Sequence, residues 1–307
     1  MKTPAFLTVI AAWASLRLPT DVLCGYLMGA ALSVVGAFAV RREFAQARGS
    51  EKLLPLGRLF FAIPMAIFGT EHFTNTRSIA GIVPSWIPGH LFWTYFCGTA
   101  LIAAGLSIVL RKYSGLAAAL LSLMLFLFVL LMSAPAVKAN PADSFVWAVA
   151  LRDFSFSAGA LAFAATHTRE WRTTGASKLV TLARFCFAST VIFFGAMQLL
   201  HPAHVPGVPL ERLTPAWIPG HILWSYLAGA VYLVAGVGLL AGRKMRLAAA
   251  SVGVMVLLLM VFVYLPILAA SLADLANGLN YFADTLAFAG AALLLAEALP
   301  REGKAHV

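Results

Sequence analysis

Two histidines and two aspartates recur at one fixed interval in a chain that is otherwise poor in charge. His90 and His221 stand 131 positions apart, and so do Asp153 and Asp284. An imidazole in the first turn of a helix meets the positive end of the helix dipole, which disfavours the imidazolium form. Such a histidine stays neutral and can hold a ligand or a proton; the plainer alternative is a hydrogen bond to a loop carbonyl. The aspartates fall inside apolar stretches. If Asp143 and Asp274 cap the helices that follow them, Asp153 and Asp284 each lie ten residues further in, about 15 Å along the axis. A carboxylate at that depth of a bilayer costs about 2.5–3.5 kcal/mol, so it must face a helical interior, pair with a donor or take up a proton. The structural alternative is a hydrogen bond that locks two helices, with Tyr95 or Tyr226 as donor. Arg152 adjoins Asp153 but is matched by Ala283 in the second set; it either reaches an acid on another span or turns outward.

Further polar residues share this depth. Glu71 and His72 close one apolar stretch, His90 opens the next, and Tyr95 lies one turn deeper. Together with Asp153 they predict a ligand- or proton-binding pocket on three helices, because polar groups stranded separately in hydrocarbon would lack partners. Gln198, His221, Tyr226 and Asp284 predict a related, less polar pocket in the second set, which implies that the first kept fuller function. No H-x-x-x-H or comparable spacing is present, so no metal site is assigned; His201 and His204 flank a proline in a loop. Cys24, Cys97 and Cys186 stand alone, which leaves a dithiol relay without support.

Helices that cross a membrane must position these residues. The 307 residues are 61% hydrophobic and 11% charged, against roughly a quarter charged in a soluble domain. Mean hydropathy is +0.89. Nine stretches are long and apolar enough to span a bilayer, at roughly 21–40, 56–74, 88–110, 114–134, 145–166, 183–200, 219–241, 246–268 and 279–298. The short loops leave no room for a sizeable soluble domain. Of the 22 lysines and arginines, 16 gather in alternate loops, among them Arg58, Arg111, Arg184, Arg243 and Arg301. The intervening loops carry only Arg77, Lys138 and Arg212. This positive-inside pattern predicts a multi-pass protein of the inner (cytoplasmic) membrane with a cytoplasmic C-terminus. The net charge of +10 is then a topology signal whose partner is the lipid bilayer, and no nucleic acid is implied. Residues 1–20 read as an interfacial helix leading into the first span, with a cleaved signal peptide as the alternative.

The fixed interval belongs to a repeat. Residues 84–90 read PSWIPGH and residues 215–221 read PAWIPGH. Between 84–105 and 215–236, 11 of 22 positions are identical, and the register holds to Pro135 and Pro266, Asp153 and Asp284, and Gly159 and Gly290. Upstream the interval falls to 126, pairing Arg58 with Arg184 and Gly69 with Gly195, so the second connecting loop is five residues longer. Each copy holds four spans, an even number, so both enter and leave on one face. Pro88 suits the first turn of a helix, and Trp86 and Trp93 suit the membrane interface. The expected fold is all-α: a polytopic membrane protein with two parallel four-helix transmembrane repeats plus one N-terminal span. The expected units are 1–51, an interfacial segment and first span; 52–167, the first repeat; 168–182, a cytoplasmic linker; 183–300, the second repeat; and 301–307, a cytoplasmic tail.

FGTEHF at 68–73, GIVPSWIPGH at 81–90 and a Gly-containing span ending at Arg111-Lys112 resemble the DoxX-like integral membrane proteins, whose usual unit is four helices. The resemblance covers about 52–167 and, more weakly, 180–298, where FGAMQLLHP at 194–202 leaves Glu71-His72 without a clean counterpart. It implies a redox-associated accessory subunit, with a quinone as ligand and soluble or membrane redox subunits as partners, and it transfers no catalytic residues. If the chain is enzymatic at all, that is as a subunit of a quinone-linked oxidoreductase. Two other readings remain open: a small-solute or proton-coupled transporter with its site between the repeats, and a non-catalytic membrane scaffold.

Overall fold

The structure, a computed structural model, describes residues 20–168, 171, 175–208, 212–270 and 275–301. The interfacial segment before residue 20, part of the linker, the Asp274 cap and the tail beyond residue 301 lie outside the described residues. Among the described residues nine helices are long and apolar enough to cross a membrane. They are α1 (Thr20–Gln46), α2 (Leu53–Thr74), α3 (His90–Leu110), α4 (Ser114–Ala139), α5 (Ser144–His167), α6 (Ala176–Leu200), α7 (His221–Leu240), α8 (Met245–Ala270) and α9 (Leu275–Ala298). The protein is an all-α polytopic membrane protein. Helix α1 runs past the expected end near residue 40 and through Arg41 and Arg42 to Gln46, because charged residues do not end a helix where it leaves hydrocarbon.

Helices α2–α5 carry the first sequence repeat and α6–α9 the second; α2 packs on α9 rather than on α5, so each repeat's bundle is completed by the last helix of the other. Within each, small residues let the first two helices touch. A methyl group added at Gly69 would come 2.7 Å from the Gly98 carbonyl, and one at Gly195 would come 3.1 Å from that of Gly229. These four glycines are two repeat-related pairs, the close-packing device of membrane helices. The last helix of each bundle also packs outside it. Helix α5 lies against α4, α6 and α9, and α9 lies against α8, α2 and α5. The seam between the repeats is therefore built on α5 and α9, where Gly159 meets Ala291. Helix α1 packs chiefly on α2, and its Leu27, Val34 and Phe38 remain exposed, as suits a lipid-facing helix.

The two heptapeptides fold alike. Ile87 N–H donates to the Pro84 carbonyl (2.9 Å), and Ile218 N–H donates to that of Pro215 (3.0 Å). The helices start at His90 and His221, after Gly89 and Gly220 at φ +74° and +67°, a conformation that glycine adopts without a Cβ clash. Pro88 is thus placed ahead of the helix and not in its first turn. Its carbonyl accepts the Trp93 indole N–H (3.2 Å), as the Pro219 carbonyl accepts that of Trp224 (3.2 Å). The repeated motif is a turn that fixes a helix start and seats an indole beside it.

Helices α4 and α8 share a feature that hydropathy does not reveal. Ala134 N–H bonds to the Val129 carbonyl, and Leu265 N–H bonds to that of Met260. Each is a π-type turn, one residue wider than the α-helix. Pro135 and Pro266 follow immediately. A proline inside a helix removes one N–H and crowds the carbonyl four residues back, and the wider turn relieves both.

Candidate functional site

Asp143 accepts the Phe145 N–H (2.9 Å) and caps α5. This sets the helix so that Asp153 lies ten residues in. Arg152 Nε donates to Asp153 Oδ1 (2.9 Å), and Arg152 Nη1 donates to Asp284 Oδ2 on α9 (2.8 Å). One guanidinium thereby bridges the two repeat-related acids across the seam, with the Phe156 ring 6.0 Å from its carbon centre. The side chains of Arg152, Asp153 and Asp284 are 19%, 17% and 7% exposed. The fork geometry of arginine suits this two-sided contact, which a lysine point charge would not reproduce.

Next to Asp284 lies a cluster of hydroxyls. The π-type turn in α8 carries Tyr264, which is buried. Its hydroxyl donates to the Val208 carbonyl (3.1 Å), with Thr285 and Asp284 close by. Val208 belongs to the longer loop at 201–220. There His204 and Leu213 pair as a short antiparallel bridge, and Val205, Val208 and Ile218 are buried. Gln198 Nε2 donates to the Gly207 carbonyl (3.4 Å), and Ser225 Oγ donates to that of His204 (3.1 Å). The described part of this loop thus covers the end of the second repeat through Val205, Val208 and Ile218. A cleft remains between this loop, α8 and α9, lined by Val205, Arg212, Tyr264, Ile267, Leu268, Gly278 and Tyr281.

The residues singled out in the sequence are distributed as follows. Glu71 and His72 are half-buried at the end of α2. His72 Nδ1 bonds the Phe68 carbonyl (2.7 Å); a carbonyl only accepts, so this nitrogen carries the proton. His90 and His221 are half-buried first residues of their helices. Tyr95 and Tyr226 are 45% and 47% exposed on the bundle surface, and the Tyr95 ring lies 5.7 Å from that of Phe73. Gln198 is fully buried beneath the loop. Asp153 is engaged on the seam through Arg152, while Tyr95 faces outward and His72 turns to its own helix. The structure therefore joins Asp153 to Asp284 and does not gather the first set around one chamber, because α5 packs toward the other repeat. Tyr264, Thr285 and Tyr232 were not singled out from the sequence. The repeated Pro135 and Pro266 were the signal that could have found Tyr264. Among the described residues no three His, Cys, Asp or Glu side chains gather as metal ligands.

Fold and site together define a multi-pass helical membrane protein with an ion-paired seam between two internal repeats. Residues 179–265 match the DoxX family, and residues 61–152 match a domain of unknown function (DUF8561). The chain thus resembles the DoxX family within its second repeat. The expectation that its first copy resembles that family better is corrected: the DoxX match covers α6, α7 and most of α8. No curated protein and no solved structure matches the chain.

Proposed function

We propose that this chain is an accessory subunit of a redox assembly in the cytoplasmic membrane, holding the head group of a quinone or lipid-like ligand in the leaflet nearest the heptapeptides. The observation that carries this reading is the cleft in the second repeat. It combines apolar residues Val205, Ile267 and Leu268 with Arg212, Tyr264 and Tyr281, and Tyr264 contacts Thr285, the chain neighbour of Asp284. An apolar wall with a few convergent polar groups is the usual form of a small-molecule site. A quinone head presents two carbonyl acceptors, which the Tyr281 hydroxyl and a guanidinium suit as donors; Tyr264, whose hydrogen goes to the Val208 carbonyl, holds the loop that walls the cleft. Quinone reduction takes up two electrons and two protons. The electrons come from a partner redox subunit, and Asp284 and Asp153 pass the protons.

The orientation proposed is the one the basic residues support. Arg58 and Arg111 meet at Glu43, and Arg246 and Arg301 meet at Glu51. These side chains share the end of the molecule opposite the heptapeptides, and that end faces the cytoplasm in this reading. Ser85→Cys and Ala216→Cys should then both react with an impermeant maleimide from outside intact cells. Labelling of only one would break the parallel arrangement.

Protein purified from native membranes in mild detergent should retain quinone in near-stoichiometric amount, and Tyr264→Phe should lower retention several-fold. A second reading, a proton-coupled transporter, draws on the placement of the acids on the seam between repeats. Quinone-free protein that moves protons across liposome membranes would favour it.

A further inference from the structure

Acids that exchange protons need contact with one face of the membrane, and the two bundles differ in what separates the seam from the heptapeptide face. In the second bundle the cleft at Tyr264, Gly278 and Tyr281 opens the way. Tyr264 lines this cleft and contacts Thr285, the chain neighbour of Asp284. Deeper still, Tyr232 is fully buried and close to Tyr264, and its hydroxyl has no protein partner. Two more buried atoms without a protein partner, Gln198 Oε1 and Thr214 Oγ1, lie at the loop-covered end of the same bundle. A buried polar atom left unpaired costs about 1–3 kcal/mol, and water is the usual partner in a polar interior. Hydroxyls both donate and accept, so water that satisfies them also links them.

The first bundle lacks each of these parts. Leu101 stands where the second has Tyr232, and Ser133 where it has Tyr264. Phe154 stands where it has Thr285, with its ring 6.3 Å from Phe126. Ser122 and Ser157 satisfy each other: each hydroxyl donates to the other residue's carbonyl at 2.8 Å. Among the described residues, α2–α5 contain no buried side-chain polar atom without a partner in their heptapeptide half; the Tyr26 hydroxyl, which has none, is on α1, outside these four helices.

We infer that the second bundle holds a hydrated route for water and protons from the heptapeptide face to Asp284, and that the first bundle is closed. The inference rests on the reading of Asp153 and Asp284 as the proton-exchanging groups, and it assigns their access to one repeat.

The test uses the full chain with Cys24, Cys97 and Cys186 replaced. Thr285→Cys and Ser157→Cys, both small changes at buried positions, are exposed to silver ion, a water-sized cation that reacts with thiols. Silver applied at the heptapeptide face should modify Thr285→Cys at least tenfold faster than Ser157→Cys. A methyl at Gly278 would come 2.8 Å from the Leu268 side chain, so Gly278→Val fills the mouth and should slow Thr285→Cys at least tenfold. Equal rates at the two positions, or a Thr285→Cys rate indifferent to the filled mouth, overturn the inference. If Thr285→Cys does not fold, Tyr264→Cys reads the mouth by the same comparison. Quinone retention is measured separately. Loss of the quinone reading with fast silver access leaves the route standing, and bound quinone with no silver access removes the route alone.

Discussion

At Ser122 and Ser157 the first bundle ties α4 to α5 through two reciprocal hydrogen bonds. At the matching positions of the second stand Gly253 and Phe288. Phe288 there joins Phe187, Phe194 and Tyr232 in an aromatic core, with ring centres 5.4, 5.5 and 6.0 Å away. The basic face differs as well. Arg58 is 1% exposed and pairs with Glu43 from α1, whereas its counterpart Arg184 contacts Met245 sulfur and the Phe185 ring. Duplication supplied one scaffold twice, and each copy was then finished by what adjoins it. Helix α1 completes the first bundle with an acid, and the longer loop completes the second with a cover. The difference separates the parts that carry the fold, which are shared, from those that carry chemistry, which are not.

The largest expected effect lies where the two copies meet. Arg152→Leu leaves two carboxylates on the seam without their cation. Removing one partner from a buried ionic group costs about 3–5 kcal/mol, so thermal unfolding in detergent should shift down strongly. Loss of tight association between the repeats should appear as faster proteolysis of the linker between α5 and α6. An unchanged melting temperature would mean that the bridge is incidental. The two acids sharpen the comparison. Sequence alone ranks Asp153 above Asp284, because the first copy holds more polar residues. That ranking concerns function; for stability the order is the other one, because Asp284 is the more buried of the two and makes the bond that crosses between repeats. Asp284→Asn should therefore lower stability more than Asp153→Asn, and equal losses would restore the symmetry that Arg152 breaks.

The next effect tests the finishing of the first bundle. Glu43→Gln removes the partner of Arg58 and Arg111 together. Glu43 is 30% exposed and Glu297 is close enough to share the charge, so the loss falls below the full buried-pair cost, at about 2 kcal/mol. Arg184→Leu in the second bundle should cost less, since among the described residues no carboxylate bonds it. Denaturation of the two variants side by side decides the point.

Much of this architecture could be read from the chain. Nine spans follow from apolar length, and the repeat follows from Pro84, Trp86, His90 and their echoes, because covalent spacing survives in sequence. The depth of Asp153 was legible for the same reason, since a cap at Asp143 and a helical rise fix it. The partner of each helix was not legible. Spacing states what lies along α5 but not that α5 packs on α9, so it groups Asp153 with Tyr95 and His90 and does not reveal the tie through Arg152 to Asp284. Tyr264 was missed because hydropathy averages over a wider turn, and only Pro266 marks it. The loop at 201–220 showed as five extra residues, but not that it turns inward.

The smallest predicted effect concerns what the two bundles have in common. Gly89 and Gly220 both hold a left-handed conformation immediately before a helix, at φ +74° and +67°. An alanine there brings its Cβ against the following carbonyl at a cost of about 1–2 kcal/mol. Neither position adds a steric penalty: a methyl would meet nothing closer than Phe92 at 3.8 Å or Leu223 at 3.7 Å. Backbone conformation alone therefore sets the cost, and backbone conformation is the part that duplication preserved. Gly89→Ala and Gly220→Ala should lower the unfolding midpoint by the same modest amount, although one bundle is capped by a short helix at Thr76–Ile82 and the other by an inward loop. Quinone retention and silver access should be untouched by Gly89→Ala, whose helix start belongs to the closed bundle. A markedly larger loss at Gly220 would show that the second heptapeptide also holds the loop in place, and the division between shared scaffold and separate finishing would then have to move inside the motif.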